Sequence, residues 1–426
     1  MNSLQRTYYL ILSLFWLATA LPMALIVLLA QARGLDLFQV GLLMAIYSLT
    51  IVLLEVPTGG LADVIGRKRV AVLAYSCTAA ASLTLLLAFS FPVFLIAFIL
   101  NGIGRALSSG ALEAWFIDAV QAVEPEADLQ PILAKAGTFS LLALGSGVLL
   151  GSALPYLFEE LPPDGLAILT PFSVPLLLAG VIHLLTLLST VGLVRERRPA
   201  GGNRNGWSGL AEVPIMIGMA FRLSRRNPTI LLLLGATFAS GLAIISLETL
   251  WQPHFAGLIG GSAGHSLFFG LVMAGNFMAG MVGNLLATPL NRWLNRRYGL
   301  VCAIFQGIRG LVLILLAWQT ATPPAVTLFW LVYLNMGVVN SPHSALLHRE
   351  IPAGQRSSIL SIESLAGYLG AIVGSAGLGY VAEYTSINLA WTIGGAVLMI
   401  SLSLYWQVDA RRQESHVQEA LILETR

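Results

Sequence analysis

Residues 59 to 68 read Gly-Gly-Leu-Ala-Asp-Val-Ile-Gly-Arg-Lys and lie between two long apolar runs. Across the chain 57% of residues are hydrophobic and only 10% are charged, and the mean hydropathy is +0.81. A soluble domain averages about a quarter charged residues, so this composition predicts a membrane protein with many spans. We therefore interpret the quoted stretch as a charged turn between two membrane helices.

About twelve apolar stretches are long enough to span a bilayer, which requires about 20 residues each. They are continuously apolar and do not alternate with a period of two, which indicates helices and excludes a β-barrel. The sequence thus predicts an all-α integral membrane protein. The stretches form two groups of six, at residues 8–32, 37–60, 70–90, 93–120, 133–157 and 171–194, and at residues 229–252, 266–290, 299–318, 325–347, 357–381 and 386–407.

The grouping predicts a domain organisation of two six-helix bundles, residues 1–194 and 229–408. An arginine-rich linker, residues 195–228, separates them, and a polar tail, residues 409–426, follows them. If both termini are cytoplasmic, all but three of the 23 lysines and arginines lie on the cytoplasmic side. Basic residues accumulate in cytoplasmic loops, so we predict this orientation for a multi-pass protein of the cell membrane.

The quoted stretch resembles the signature G-x-x-x-D-x-x-G-R-K of the major facilitator superfamily of secondary transporters. Gly59, Asp63, Gly66, Arg67 and Lys68 match its fixed positions between the second and third membrane helices. The resemblance implies a fold of two six-helix bundles with a transport pathway between them.

The resemblance also implies a conformational latch on the cytoplasmic side. In the superfamily the loop aspartate, Asp63 here, is associated with the cytoplasmic end of the eleventh helix, and Asp118 is positioned to pair with Arg67. Two further stretches, residues 55–59 and 109–115, resemble those of bacterial members grouped with drug-efflux transporters.

Ionisable residues inside spans are the main candidates for function, because a charge within a bilayer is costly and normally faces a bundle or a wet cavity. In a continuous fourth helix, Arg105, Ser109 and Glu113 share one broad face. Glu55 in the second span lies at a similar depth to Glu113, so the two carboxylates could share a proton beside Arg105. We predict that Glu113 carries the proton, with Glu55 as the competing candidate.

For each of these charges the competing explanation is an ion pair that only holds helices together. We favour a structural ion pair for Arg309. For Glu248 there is a third explanation, which is that its side chain reaches interfacial water beside Trp251. The remaining ionisable or titratable residues in the spans are Glu363, His183 and His343.

The substrate prediction depends on the resemblance, which implies that the first, fourth, seventh and tenth helices line the pathway. These helices are largely apolar and aromatic, with a few polar residues that include Ser109, Asn340 and His343. That mixture favours an amphipathic or cationic small molecule over a sugar or an anion.

Glycines recur at intervals of three and four in two spans, which is typical of helix faces that pack closely. We predict such helix-packing faces in the fifth and eleventh spans. The glycines are Gly147 and Gly151 in the fifth, and Gly367, Gly370, Gly374 and Gly377 in the eleventh.

The hypothesis that joins these observations is a proton-coupled exporter of small, fairly hydrophobic or cationic compounds that works by alternating access. The alternatives are an importer or uniporter of a small metabolite, and a lipid flippase. We expect a monomer whose partners are the substrate, protons and the lipid bilayer.

Other classes of protein are disfavoured. The chain has no G-x-S-x-G or H-E-x-x-H motif, so no enzyme is predicted. His343 and His348 are five residues apart, and the two cysteines, Cys77 and Cys302, lie in apolar runs, so no metal and no cofactor are expected. The net charge of +2, without a basic cluster interleaved with aromatic residues, argues against nucleic acid.

Overall fold

The computed structural model describes residues 2–108, 110–162, 167–196, 218, 227–262, 264–351 and 356–424. Within these ranges the chain forms α-helices and no strand. The first helices are α1 (Asn2–Ala20), α2 (Ile26–Ala32), α3 (Leu37–Ile65), α4 (Arg67–Leu86), α5 (Phe91–Ser108), α6 (Ala111–Val123), α7 (Leu129–Leu157) and α8 (Val174–Leu193). The others are α9 (Pro228–Leu258), α10 (Ser266–Trp293), α11 (Tyr298–Ala317), α12 (Thr322–Glu350), α13 (Arg356–Tyr384) and α14 (Ile387–Glu424).

The predicted all-helical membrane fold is confirmed, with 11 helical segments of the described chain long and apolar enough to span a bilayer. The first predicted span, residues 8–32, differs from its prediction because it is interrupted between α1 and α2. Pro22 lies in this interruption, and proline has no N–H with which to continue a helix. The orientation of the termini stays a prediction.

The chain divides into two compact units. The first comprises Met1–Pro214 and Ile259–Ala274, and the second comprises Ile215–Leu258 and Gly275–Arg426. Most of the predicted linker, residues 195–228, lies outside the described residues, and the predicted domain bounds stay a prediction. The predicted tail, residues 409–426, continues α14 as a helix to residue 424.

Aromatic side chains form the core of the first unit where α1, α4 and α6 meet. The rings of Tyr8 and Phe116 stack with their centroids 4.1 Å apart, and Phe15 lies 5.4 Å from Tyr75. All four side chains are buried. This cluster fixes α6 against α1, and it therefore determines where the residues on the first turn of α6 are placed.

Close glycine contacts bring helices together within each unit. A Cβ atom on Gly151 of α7 would lie only 1.9 Å from the carbonyl oxygen of Leu21, and one on Gly147 would lie 2.7 Å from that of Leu17. In the second unit Gly370 and Gly374 of α13 face the main chain of α9, where a Cβ atom would come within 2.1 and 2.2 Å of carbonyl oxygens.

The predicted stripe of glycines on α13 is not uniform. Gly367 also lies against α9, because a Cβ atom on Gly241 of α9 would come within 2.2 Å of its carbonyl oxygen. Gly377 differs from the prediction, since a Cβ atom there would meet nothing within 4 Å. The close packing of α13 on α9 therefore ends at Gly374.

Arg33, just after α2, is buried. The hydrogen bonds described for its side chain go to carbonyl oxygens and not to a carboxylate. Its guanidinium donates hydrogen bonds to the carbonyl oxygens of Leu85 at 2.8 Å and Ala88 at 3.0 Å, and it lies over the ring of Phe89. The carbonyls at the end of a helix carry partial negative charge, which a cation stabilises. Arg33 thus ties the end of α4 to the segment that follows α2.

Candidate functional site

The matched signature occupies the end of α3 and a one-residue turn, and not a longer loop. Gly59 and Asp63 belong to α3, which continues to Ile65, and α4 begins at Arg67. Gly66 alone separates the helices, with a φ of 97° that favours glycine. The side chain of Asp63 is outside the described side chains, so its predicted contact stays a prediction.

Arg67 and Lys68 are held by partners that are distant in sequence. The Arg67 guanidinium forms a salt bridge with Asp118 at the end of α6, as the resemblance implies, and donates to the carbonyl of Ala114. Lys68 Nζ donates to the carbonyl oxygen of Val191 at 2.8 Å. These contacts join the start of α4 to α6 and α8, and their role as a latch stays a prediction.

Glu196 is a member of this cluster that the sequence analysis missed. Its carboxylate accepts the backbone N–H of Arg67 at 2.8 Å and that of Lys68 at 3.0 Å, so it caps the N-terminus of α4. A Cβ atom on Gly66 would lie 2.9 Å from Glu196 Oε2, so glycine also makes room for the cap. The sequence feature that could have identified Glu196 is its position as a single acidic residue among Arg195, Arg197 and Arg198.

We expect Glu196→Ala to lower the stability of the protein by about 1 kcal/mol, because helix-capping groups contribute roughly 0.5–2 kcal/mol. The measurement is the midpoint of thermal unfolding in detergent. Glu160→Ala is the control, because Glu160 is exposed and lies outside the helices. An equal midpoint for both variants would show that Glu196 contributes no capping energy.

Glu55 and Arg105 are brought together in the first unit. Both side chains are half-buried, and the Glu55 carboxylate lies within electrostatic range of the Arg105 guanidinium. Gly102, one turn before Arg105, allows the approach of α5 to α3, since a Cβ atom there would come within 2.8 Å of Thr50 Cβ. This arrangement places a carboxylate and a cation beside each other inside two membrane spans.

Glu113 does not share a continuous helical face with Arg105. The fourth span is interrupted between Ser108 and Ala111, and Gly110 adopts a left-handed conformation with a φ of 76°. Ser109 lies outside the described residues. Glu113 is exposed on the first turn of α6, within electrostatic range of the hydroxyl of Tyr8. The interruption invalidates the spacing argument, because that argument assumed one unbroken helix.

Glu248 occupies an exposed position on α9, although Leu247, Thr249 and Trp251 are buried. It lies within electrostatic range of the half-buried Tyr333 of α12. Tyr333 also forms a side-chain hydrogen bond with Asn276 of α10, whose Oδ1 atom has no partner among the described residues. Asn340, further along α12, is exposed.

His343 and Glu363, which the sequence analysis treated separately, form a pair in the second unit, in which His343 is buried and Glu363 is half-buried. His343 Nε2 lies 2.9 Å from Glu363 Oε1 and 3.2 Å from Thr237 Oγ1, and His343 Nδ1 lies 2.8 Å from Tyr405 Oη. The contacts join α9, α12, α13 and α14. Tyr405 was not a candidate, since a tyrosine in an apolar run carries no distinguishing pattern.

Arg309 is buried beside this cluster, and the ion pair that we favoured for it is not found among the residues that the structure describes. Its guanidinium donates to Ser240 Oγ at 2.7 Å, and its Nε atom has no partner among the described residues. Gln306 donates to the same Ser240 hydroxyl at 3.2 Å and to Ser401 at 2.9 Å. A neutral polar network thus surrounds this cation.

Ionisable side chains within repeated membrane spans are typical of membrane transport proteins. Residues 8–375 match the Major Facilitator Superfamily, and the chain belongs to that superfamily. It is therefore a multi-pass membrane transporter of small-molecule substrates. No curated protein sequence matches the chain.

Solved structures with the same fold include three transporters of low sequence identity. The nucleoside transporter NupG has a TM-score of 0.74 and 14% identity, over 96% of this chain and 99% of that one. A POT family transporter in complex with 5-aminolevulinic acid has a TM-score of 0.69 and 12% identity, over 96% of each chain. The human organic anion transporter MFSD10 (TETRAN) has a TM-score of 0.58 and 17% identity, over 95% of this chain and 99% of that one.

Proposed function

We propose that this protein is a proton-coupled transporter that exports small, fairly hydrophobic or cationic organic molecules across the cytoplasmic membrane. It works as a monomer by alternating access, in which the substrate site opens to one side of the membrane at a time. The signature cluster around Arg67 and Glu196 acts in this proposal as the latch of one conformation.

The observation that carries the proposal is the proximity of Glu55 and Arg105 within two membrane spans. A neighbouring cation favours the charged form of a carboxylate. Movement of the Arg105 guanidinium away from Glu55 would therefore favour proton uptake by Glu55. A protonated Glu55 cannot attract a cationic substrate, so proton and substrate compete for it. This competition couples export of the substrate to entry of the proton.

Glu248 supports a cationic substrate from the second unit. It is an exposed carboxylate within a membrane span, next to the half-buried ring of Tyr333. Cations are attracted both to carboxylates and to the faces of aromatic rings. Glu113, which is exposed and separated from Arg105 by the interruption at Gly110, becomes the competing candidate for the proton.

Uptake of a polar metabolite is the second candidate function. Two of the solved structures with this fold are named as a nucleoside transporter and as a transporter in complex with 5-aminolevulinic acid. The polar side chains of Asn276 and Asn340 could hydrogen-bond to such a solute. The direction of transport and the class of substrate are therefore tested in the same experiment.

The experiment measures the internal pH of proteoliposomes that hold a preset proton gradient, while lipophilic cations, neutral drugs, nucleosides and sugars are added one at a time. We expect one class of organic cations to trigger proton movement opposite to its own. Proton movement in the same direction as a nucleoside would instead establish uptake.

Glu55→Gln is expected to move no protons and to bind a cationic substrate more weakly, because the amide keeps the shape of the side chain but carries no charge and cannot titrate. Glu126→Gln is the control, since Glu126 is exposed and outside the helices. Retention of full proton exchange by Glu55→Gln, with its loss in Glu113→Gln, would transfer the role to Glu113. No proton exchange by the wild-type protein with any compound would refute proton coupling.

A further inference from the structure

The His343 cluster lies in the interior of the second unit, where four helices meet. His343 is only 8% exposed, and both of its ring nitrogens are within hydrogen-bond distance of a polar side chain. Its partners are Glu363 on α13 and Tyr405 on α14, which lie 20 and 62 residues further along the chain. A membrane span seldom retains an imidazole and a carboxylate without a function for them, because burying such groups is costly.

The hydrogen bonds of the cluster assign a tautomer to the neutral imidazole. Glu363 as a carboxylate can only accept, so Nε2 must carry the hydrogen that it donates to Glu363 Oε1. Nδ1 then has a lone pair, which accepts the hydroxyl hydrogen of Tyr405. In this state each hydrogen bond among His343, Glu363 and Tyr405 has one donor and one acceptor.

A proton can enter the neutral imidazole at one atom only. Nδ1 is the basic nitrogen of the neutral ring, and an incoming proton must displace the hydroxyl hydrogen of Tyr405 from it. After uptake, Nδ1–H donates to Tyr405 Oη, and the tyrosine hydroxyl turns its hydrogen elsewhere. No bond other than N–H is formed, and the proton comes from water.

Among the neighbouring charges, Glu363 favours the imidazolium and Arg309 opposes it. Glu363 supplies a counter-charge for the imidazolium at 2.9 Å. From α11, Arg309 lies within electrostatic range of Tyr405, and Cys302 also faces that tyrosine. On α14, Asp409 is already paired with Arg297, and Thr237 is the neutral partner from α9. With Glu363 ionised, Arg309 charged and His343 neutral, these buried charges sum to zero, and one added proton makes them positive.

We propose that His343 and Glu363 form a proton-binding site in the second unit, separate from Glu55, with Tyr405 as the positioning residue. The proposal deepens the proposed function, on which its role in transport rests. Proton uptake reverses the Tyr405 hydrogen bond and so changes the contact between α12 and α14. In the proposed cycle a second proton accompanies the one on Glu55, and it moves only in cycles in which Glu55 also exchanges its proton.

The first test counts the protons that the purified protein binds in detergent, without substrate, as the pH is lowered from about 8 to about 5, the range in which histidine titrates. His343→Asn is expected to bind about one proton fewer than the wild type. His183→Asn is the matched control, because His183 is also buried in a span and its Nδ1 has no partner among the described residues. We expect its proton count to equal that of the wild type.

Glu363→Gln keeps the test decisive if His343→Asn does not fold, since glutamine can still accept the hydrogen bond from Nε2. It should also bind fewer protons than the wild type, because the imidazolium loses its counter-charge. A proton count equal to that of the wild type in the folded variants would overturn the proposal.

A second measurement separates this proposal from the proposed function. In proteoliposomes, Glu363→Gln should exchange fewer protons per substrate than the wild type while still moving the substrate. An unchanged ratio would show that the site is not part of the transport cycle. If the wild type exchanges no protons at all, the proposed coupling is refuted, whereas the equilibrium titration still decides whether His343 and Glu363 bind a proton.

Discussion

Gly151→Ala is expected to destabilise the first unit by about 1–3 kcal/mol or more, which is the usual cost of overpacking. The added Cβ atom would lie 1.9 Å from the carbonyl oxygen of Leu21, far inside van der Waals contact. That oxygen belongs to the main chain between α1 and α2, so a side-chain rotation cannot relieve the clash. The helices α1 and α7 must therefore separate, and the measurement is thermal unfolding of the purified protein together with its yield.

Gly145→Ala is the matched control on the same helix. A Cβ atom at Gly145 would meet nothing within 4 Å, and alanine is favoured over glycine in a helix by about 1 kcal/mol. The two substitutions are therefore expected to change stability in opposite directions although they are chemically identical. A similar change in both would mean that the contact of Gly151 with Leu21 does not limit the packing of α7.

Arg105→Gln is expected to reduce the amount of folded protein severely, because it leaves Glu55 inside a span without the cation beside it. Removal of one partner from a buried ion pair typically costs about 3–5 kcal/mol, and we expect a smaller cost here, because both side chains are half-buried and interact at electrostatic range. The double variant Glu55→Gln with Arg105→Gln removes both charges. We expect it to recover the yield and to move no protons.

The measurement is a double-mutant cycle of yield and thermal midpoint, with proton exchange in proteoliposomes as the functional readout. Coupling between the two sites would appear as a double variant that is more stable than Arg105→Gln alone. Additive losses in stability would contradict the assigned pair. Proton exchange by the double variant at the wild-type level would remove both residues from the coupling mechanism.

The candidate site was only partly predictable. Glu55, Arg105, His343 and Glu363 were found individually, because an ionisable residue in an apolar run is visible in the sequence. The pairing of His343 with Glu363 was not predicted; Glu55 was expected beside Arg105, but the spacing argument also placed Glu113 on one face with Arg105. The left-handed Gly110 interrupts the helix between them, and a single glycine in an apolar run does not indicate whether the helix continues.

The helical membrane fold and the superfamily follow from the sequence alone, because hydrophobicity, span length and the signature motif are local properties of the chain. The signature at residues 59–68 likewise marked the turn at Gly66. Only the tertiary structure decided which charges meet. Glu196 caps α4 from 129 residues away, and His343 meets Glu363 and Tyr405 across three helices. Such pairs depend on how separate helices pack, which the periodicity of one helix does not specify.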